Sequence, residues 1–277
     1  MPAQEIEPGF GEERWPAVVA HRGASATHPE NTLESFEAAV EAGADVVELD
    51  VRLTADGVPV ISHDPGLVAT TGDERLVHQV TLSELRRLAA SVPTLREAME
   101  VLSGRAGIDI EIKNIPGQPD FDSPREAVAE HVVRQLDGSG FVGTVLVSSF
   151  NWLSIERVRE LAPTIRTGFL TTDDVDPRVA LAYAHQHGHA FVLPQAGALL
   201  EAGEGFVTEA HAERVRVGTW TVDDPATIGL LFSWGVDAVA SNDPSTAVPV
   251  RDAARAGRTA GSGEQITPTG EQITPTG

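Results

Sequence analysis

The sequence of 277 residues contains no cysteine, one tyrosine and one lysine, Lys113, among 20 basic residues. The absence of cysteine excludes disulfide bonds and thiolate metal sites. No apolar run approaches the ~20 residues that span a bilayer, so we expect no stable membrane insertion. The start, MPAQEIEPGFGEERW, lacks the basic residues and apolar run of a signal peptide, which predicts a cytoplasmic protein.

Positive charge is also scarce. The chain has 20 basic and 41 acidic residues, a net charge of −21. Such a charge argues against nucleic acid or an anionic membrane as a broad-surface partner. An anionic substrate would have to be attracted locally by a metal ion, an arginine or Lys113. The oligomeric state stays open.

Short β-branched runs alternate with amphipathic stretches along most of the chain. This alternation predicts parallel strands joined by helices, and eight such units favour the α/β class and a closed (β/α)8 barrel, the TIM barrel. No GxGxxG motif follows the first strand, which argues against a Rossmann fold. The predicted strands are Ala17–Ala20, Asp45–Leu53, Gly107–Lys113, Thr144–Ser148, Ile165–Leu170, Ala190–Leu193, Val215–Thr221 and Val236–Ala240. The predicted helices are Thr32–Ala42, Thr94–Leu102, Arg125–Leu136, Trp152–Leu161, Pro177–His187, Pro225–Trp234 and Pro244–Ala254.

The barrel is expected over residues 17–255, after an N-terminal extension at 1–16. Residues 64–93 do not fit the repeat and predict a small insertion after the second strand. Residues 256–277 contain EQITPTG twice, a polar composition typical of a disordered tail or a tag.

Ionisable residues concentrate between His21 and Asp64. Buried cores avoid such residues unless their charges are paired. Glu48 and Asp50 are two apart on a predicted strand, so both point to the barrel interior, and Glu111 repeats the pattern on the next strand. Three inward carboxylates favour a hard cation such as Mg²⁺ or Ca²⁺. The alternatives are a solvated pair of carboxylates and an internal ion pair between Glu111 and Lys113.

His21 and His63 fall at predicted strand ends on the same rim, where they could act as general base and general acid. Arg22 offers a planar fork suited to phosphate, and its alternative is a surface salt bridge. Asn31 is predicted to cap a helix rather than to act as a ligand.

Other polar residues favour structural readings. Asp176, Asp223 and Asp224 are predicted as helix caps. The run HQHGH at 185–189 predicts a solvated helix end, because spacings of two do not place ligands on one helical face.

The segment HRGASATHPENTLESFEAAVEAGADVVELDVRLTADGVPVISHD resembles the signature of the glycerophosphodiester phosphodiesterase family. The resemblance continues through PTLREAM, IEIK, SSF and WTVDD and ends with GVDAVASNDP, so it covers about residues 17–247. Two departures are Ser241, where the family usually has threonine, and residues 194–212, which match poorly.

The resemblance implies a (β/α)8 barrel that hydrolyses a small-molecule glycerophosphodiester to glycerol 3-phosphate and an alcohol. It implies His21 and His63 as the acid/base pair and Glu48, Asp50 and Glu111 as ligands of the divalent cation. It further implies that Arg22 and Lys113 contact phosphate and that Trp220 forms a wall near the glycerol, unless Trp220 only fills the core.

Three other functions remain compatible with such a barrel. A lysophospholipase D or sphingomyelinase D-like enzyme would share the histidines and carboxylates but should need an apolar surface for lipid chains. A phosphosugar isomerase would not need three inward carboxylates. A non-catalytic binding barrel would be favoured by the loss of a site residue, and none is missing.

Overall fold

The computed structural model describes residues 16–68 and 72–261. The strands are β1 Ala17–Ala20, β2 Val46–Leu53, β3 Pro59–Ile61, β4 Gly107–Ile112, β5 Val145–Ser149, β6 Arg166–Thr171, β7 Phe191–Pro194, β8 Arg216–Thr219 and β9 Ala238–Ser241. The α-helices are α1 Leu33–Glu41, α2 Leu82–Leu88, α3 Leu95–Leu102, α4 Ala127–Leu136, α5 Trp152–Leu161, α6 Pro177–His187, α7 Ala196–Ala202, α8 Glu204–Ala212, α9 Pro225–Ser233 and α10 Pro244–Gly261.

Eight of these strands form a closed parallel barrel. β1 pairs with β9 on one side and with β2 on the other, and the order β9-β8-β7-β6-β5-β4-β2 completes the ring. β3 lies outside the ring, antiparallel to β2. The predicted (β/α)8 barrel is confirmed. Within the described ranges, no helix is both long and apolar enough to cross a bilayer.

Successive side chains of each strand point alternately outward to the helices and inward to the barrel, which gives an outer and an inner apolar layer. On β2, Val47, Leu49 and Val51 face outward and pack with α1 and α3 in one core between barrel and helices. A second outer core joins α6, α8 and α9 to the other half of the barrel. Inside the barrel a smaller apolar cluster includes Leu146, Leu193 and Phe191. The interior therefore has an apolar wall, and the polar residues of β2 and β4 face it.

The expected insertion contains ordered structure. A 3₁₀ turn at Val77–Gln79 and helix α2 pack on β3 through a satellite core of Val60, Leu67, Val77, Val80, Leu85 and Ala89. Residues 69–71 of the expected insertion lie outside the described residues. β3 itself was not predicted, because three residues are too short for a periodicity argument.

Two further differences concern helices. Helices α7 and α8 occupy residues 196–212, for which no helix was predicted, because Gly203 interrupts the stretch and both pieces are short. Helix α10 continues to Gly261, beyond residue 255 where the barrel was expected to end. The EQITPTG repeat and residues 1–15 lie outside the described residues.

Candidate active site

The polar centre lies where β2 and β4 run side by side. The parallel register aligns Asp50 with Glu111 and Glu48 with Asp109, so four carboxylates meet on the inner face of the barrel. One oxygen each from Glu48, Asp50 and Glu111 lies within 4.8 Å of the others, and all three side chains are buried. The solvated alternative for Glu48 and Asp50 is therefore wrong.

Burial and mutual repulsion alter the acidity of this group. Burial raises the pKa of Glu48 well above its usual range, and the charges of Asp50 and Glu111 raise it further. Burial, with the charge of Asp50, raises the pKa of Glu111 to about 7. Burial alone would also raise the pKa of Asp50, but Lys113 and Arg22 outweigh it and lower that pKa. A cation among these oxygens would relieve the same repulsion.

The only lysine of the chain joins this group. Lys113 Nζ lies 2.5 Å from Glu111 Oε1 and 3.0 Å from Asp50 Oδ1, and its side chain is 7% exposed. The ion pair that was an alternative reading thus exists, and it extends to Asp50. Nζ also lies 5.9 Å from the ring centre of Phe150, which is within cation–π distance.

The HRG motif forms a tight turn after β1. Arg22 and Gly23 both have positive φ, at 56° and 83°. A Cβ on Gly23 would come within 2.7 Å of the backbone of Ser35 in α1, so only glycine fits there. The turn directs the Arg22 backbone N–H to Glu48 Oε2 at 2.8 Å.

The guanidinium of Arg22 bridges an exposed and a buried carboxylate. Nη1 pairs with Glu30 at 3.0 Å, and Nε lies 3.2 Å from Asp50 Oδ2. Arg22 is thus more than the surface salt bridge that was its alternative, because its second carboxylate lies in the buried group.

The prediction that Asn31 caps helix α1 is wrong. Thr32 is the N-cap, with a capping box to Ser35. Asn31 instead donates from Nδ2 to Asp50 Oδ2 at 2.7 Å and accepts from the Asp50 backbone N–H. The two polar residues are adjacent in the sequence, so pattern alone could not tell which one turns inward.

His21 is held by residues that follow the last two barrel strands. Its Nδ1 lies 2.8 Å from Asn242 Oδ1, and Asn242 Nδ2 donates to Asp223 at 2.8 Å. Because the amide nitrogen of Asn242 faces Asp223, its oxygen faces His21, so Nδ1 carries the proton and Nε2 has a free lone pair. Burial lowers the pKa of His21, which favours the neutral ring.

The roles of Asp223 and Asn242 were missed from the sequence. Asp223 was predicted as a helix cap, but it receives hydrogen bonds from Ser241 and Asn242. Asp224 does cap α9, through Thr227, and Asp176 caps α6. Asp223 lies in the motif WTVDD and Asn242 in the motif SNDP, and both motifs follow barrel strands on the rim that carries His21. That position was the signal that could have identified the two residues.

His63 follows β3 and lines the same cavity as His21. Its Nδ1 is 2.8 Å from Asp64 Oδ1, and its side chain is 37% exposed. A carboxylate at Nδ1 orients the ring so that Nε2 is the nitrogen left for a substrate.

A cavity of about 220 Å³ occupies the barrel interior. Its polar side carries His21, Arg22, Glu48, His63, Glu111 and Lys113, while Asp50 lies beneath Arg22 and Lys113. Trp220 lines the opposite side, packs edge-on against Phe150 at 5.3 Å and donates to the carbonyl of Leu193. The structure thus brings all eight predicted site residues together.

Asp109 is a cavity residue that sequence reasoning missed. It aligns with Glu48, accepts a hydrogen bond from Ser148 at 2.8 Å, and burial raises its pKa to about 7. Asp109 lies two residues before Glu111 on the same strand, and this spacing could have placed it on the inner face from the sequence alone.

The histidines of HQHGH do not belong to this site. His185 and His187 are exposed as predicted, but His189 is buried with its Nδ1 2.8 Å from Thr167 Oγ1, so the prediction of a solvated end is wrong for His189. Among the described residues, the one group of three or more candidate metal ligands is Glu48, Asp50 and Glu111.

Comparison with known proteins agrees with this architecture. The model of the glycerophosphoryl diester phosphodiesterase family matches residues 21–246. A glycerophosphodiester phosphodiesterase of Caldanaerobacter subterraneus subsp. tengcongensis is 32% identical over 249 residues, covering 83% of this chain and 96% of that protein. A similar enzyme of Bacillus altitudinis is also 32% identical, covering 85% and 98%.

Solved structures show the same similarity. A phosphodiesterase of Oleispira antarctica, in complex with the product sn-glycerol-3-phosphate, superposes with a TM-score of 0.77 at 30% identity, covering 86% of this chain and 97% of that one. The chain therefore belongs to the glycerophosphoryl diester phosphodiesterase family, enzymes that hydrolyse glycerophosphodiesters.

Proposed function

We propose that this chain hydrolyses glycerophosphodiesters to glycerol 3-phosphate and an alcohol, with a divalent cation and a two-histidine acid/base pair. The observation that carries the proposal is the convergence of three buried carboxylates, Lys113, Arg22 and two histidines on one cavity. The glycerol 3-phosphate bound to the Oleispira antarctica relative supports the same product here.

The carboxylate group fits a divalent cation by its chemistry. Glu48 Oε1 is buried and has no hydrogen-bonding partner, and the three ligands offer oxygen atoms only. These are the ligands that Mg²⁺ and Ca²⁺ prefer. When bound, the cation would polarise a phosphate oxygen and offset its charge.

Arg22 and Lys113 supply positive charge beside the carboxylates. In a chain of net charge −21, they attract the phosphate locally and stabilise the charge that develops during P–O cleavage. Trp220 and Phe150 form an apolar wall against which the carbon skeleton of the substrate packs.

The two histidines take different roles. His21 has a free Nε2 lone pair, so it acts as general base and removes the proton from the attacking oxygen, which belongs either to water or to the 2-hydroxyl of the glycerol. Attack by water gives glycerol 3-phosphate directly, whereas attack by the 2-hydroxyl gives a cyclic phosphate that water then opens to glycerol 3-phosphate. His63, oriented by Asp64, donates its Nε2 proton to the oxygen of the leaving alcohol. The sequence alone left this assignment open.

The test is release of glycerol 3-phosphate and choline from glycerophosphocholine by the purified protein. We expect turnover with Mg²⁺ or Ca²⁺, none in EDTA, and recovery when the cation is restored. His21→Ala and His63→Ala should each lower kcat at least ~10²-fold with an unchanged circular dichroism spectrum. Full turnover in EDTA with no bound metal would refute the cation, and near wild-type kcat in a histidine variant would refute that histidine's role.

A parallel assay with lysophosphatidylcholine separates the alternative lipid activity. We expect a kcat/KM below that for glycerophosphocholine, and the reverse order would favour a lysophospholipase D.

A further inference from the structure

We infer that Arg52 is a positioning residue for this reaction, because it ties the backbone of His63 to the backbone of Lys113. The inference rests on the proposed function of those two residues. Arg52 lies two residues after Asp50 on β2, on the same inner face, and it is 1% exposed. It is one of the largest fully buried side chains of the described chain.

The guanidinium of Arg52 contacts both functional segments. Nε and Nη2 donate to the His63 carbonyl at 3.0 and 2.7 Å, and Nη1 donates to the Lys113 carbonyl at 3.3 Å. His63 follows β3, and Lys113 follows β4, so these carbonyls belong to different loops. A single planar group thus spans the two segments that carry the proposed general acid and the phosphate contact.

Two side chains hold the guanidinium in place. Nη1 pairs with Asp120 at 2.5 Å, and Nη2 donates to Gln118 at 2.7 Å. All three nitrogen atoms of the fork therefore have acceptors, and the buried charge has a carboxylate partner. A lysine has no fixed fork and cannot reach these acceptors simultaneously.

These contacts explain why the charged side chain of Arg52 can be buried here. A charged side chain is costly in the interior unless its partners are complete. A general acid works only when it lies within hydrogen-bond reach of the leaving oxygen, so the backbone beneath His63 must be held. Asp64 orients the imidazole ring of His63, and Arg52 holds the backbone carbonyl of His63.

The chain offers a matched control in Arg251. It is also buried, at 6% exposed, and donates to the Gly43 carbonyl at 2.8 Å and to Asp45 at 2.7 Å. Asp45 and Gly43 precede β2, at the end of the barrel opposite to the site. Arg251 therefore combines a carbonyl and a carboxylate as Arg52 does, without touching the site.

The experiment compares Arg52→Lys with Arg251→Lys on glycerophosphocholine hydrolysis and on Tm. We expect Arg52→Lys to lower kcat at least ~10-fold with KM within about threefold, because the general acid loses its position while the charges of Arg22 and Lys113 still attract the phosphate and the carboxylates can still hold the cation. Arg251→Lys should lower Tm by a similar amount and keep kcat within about twofold. Near wild-type kcat in Arg52→Lys, or an equal loss of kcat in both variants, would overturn the inference.

A double-mutant cycle with His63→Ala asks whether Arg52 acts through His63. In that background, Arg52→Lys should lower kcat by a much smaller factor than in the wild type, because the group it positions is gone. Full multiplicative losses would show that Arg52 does not act through His63 and would overturn the inference. If Arg52→Lys does not fold, Gln118→Ala loosens the same guanidinium without changing charge and should lower kcat about two- to fivefold, and an unchanged kcat would contradict the inference.

Hydrogen exchange gives a readout that does not depend on turnover. Arg52→Lys should increase amide exchange in residues 62–66 and 113–118 and leave β8 and β9 unchanged. Unchanged exchange in both segments would overturn the inference. A wild-type protein without activity would instead contradict the proposed function, so the two failures are distinguishable.

Discussion

At the scale of single residues, the lone lysine carries the most information. Every other basic position outside the histidines is arginine, yet the position between Glu111 and Asp50 holds Lys113. A compact ammonium on a flexible stem fits between two buried carboxylates, whereas a guanidinium is larger and planar. The choice of lysine here therefore follows from the space inside the barrel.

Replacing Lys113 with arginine tests this reading. We expect kcat/KM for glycerophosphocholine to fall at least ~10-fold, equivalent to about 1.4 kcal/mol of lost transition-state binding. The larger group should displace the substrate or the cation while the net charge stays the same. Arg105→Lys, on an exposed loop, is the control and should leave kcat/KM unchanged. Wild-type kinetics in Lys113→Arg would mean that phosphate is held elsewhere.

His189 provides a prediction about acid stability. Burial lowers its pKa to about 4, below the value of 6.5 in the unfolded chain. The unfolded chain therefore binds an extra proton between these values, so the stability contributed by neutral His189 is complete above about pH 6.5 and is lost as pH falls toward 4.

His189→Asn removes this titration and keeps a polar atom near Thr167. The variant should be less stable at pH 7, but its free energy of unfolding should fall less between pH 7 and pH 5 than that of the wild type. Urea unfolding at both pH values measures the difference, with the exposed His185→Asn as control. If the free energy of unfolding falls equally between pH 7 and pH 5 in His189→Asn and in the wild type, groups other than His189 cause the acid sensitivity.

At the scale of elements, the start of α1 divides two tasks between neighbours. Thr32 satisfies the helix N-terminus, and Asn31, with φ of 58°, turns its amide to Asp50. The helix cap and the carboxylate partner are therefore separable by mutation, although they are one residue apart.

The pair Thr32→Ala and Asn31→Gly should show opposite effects. Thr32→Ala removes the cap and should cost about 1 kcal/mol of stability with little change in kcat/KM. Asn31→Gly keeps the left-handed backbone accessible, but removes a donor to Asp50, and should lower kcat/KM at least ~10-fold. Urea unfolding and glycerophosphocholine kinetics on both variants measure this. Loss of activity in Thr32→Ala alone would contradict the division of tasks.

At the scale of the whole molecule, repulsion among buried carboxylates opposes folding. Glu48 and Glu111 lie together in the barrel of a chain whose net charge is −21. A divalent cation that binds only the folded state would stabilise it by mass action.

We therefore expect Mg²⁺ or Ca²⁺ to raise Tm. At about 100 times the dissociation constant the gain is ~2.7 kcal/mol, which corresponds to several degrees for a domain of this size. NaCl at equal ionic strength controls for general screening of the negative surface. In Glu48→Gln the specific increase should disappear. A response to NaCl equal to that of the divalent salts would contradict cation binding at this group.

The sequence by itself determined the barrel and most of its site. Strand–helix alternation located all eight barrel strands to within one or two residues, because period and turn signals are local properties. The spacing of two between Glu48 and Asp50 already placed both on one face of a strand.

Only the tertiary structure decided which groups meet across the barrel. The contacts of Asn242 with His21, Asn31 with Asp50 and Arg52 with His63 join loops whose proximity depends on strand register and barrel closure. Neither register nor barrel closure is encoded in a local pattern. A threonine and an asparagine at a helix start look equally like caps, and the spacing that places Arg52 on the inner face of β2 does not tell which carbonyl groups it contacts. The closed barrel brings these loops to one rim, where burial makes an unpaired polar group costly and so favours these contacts.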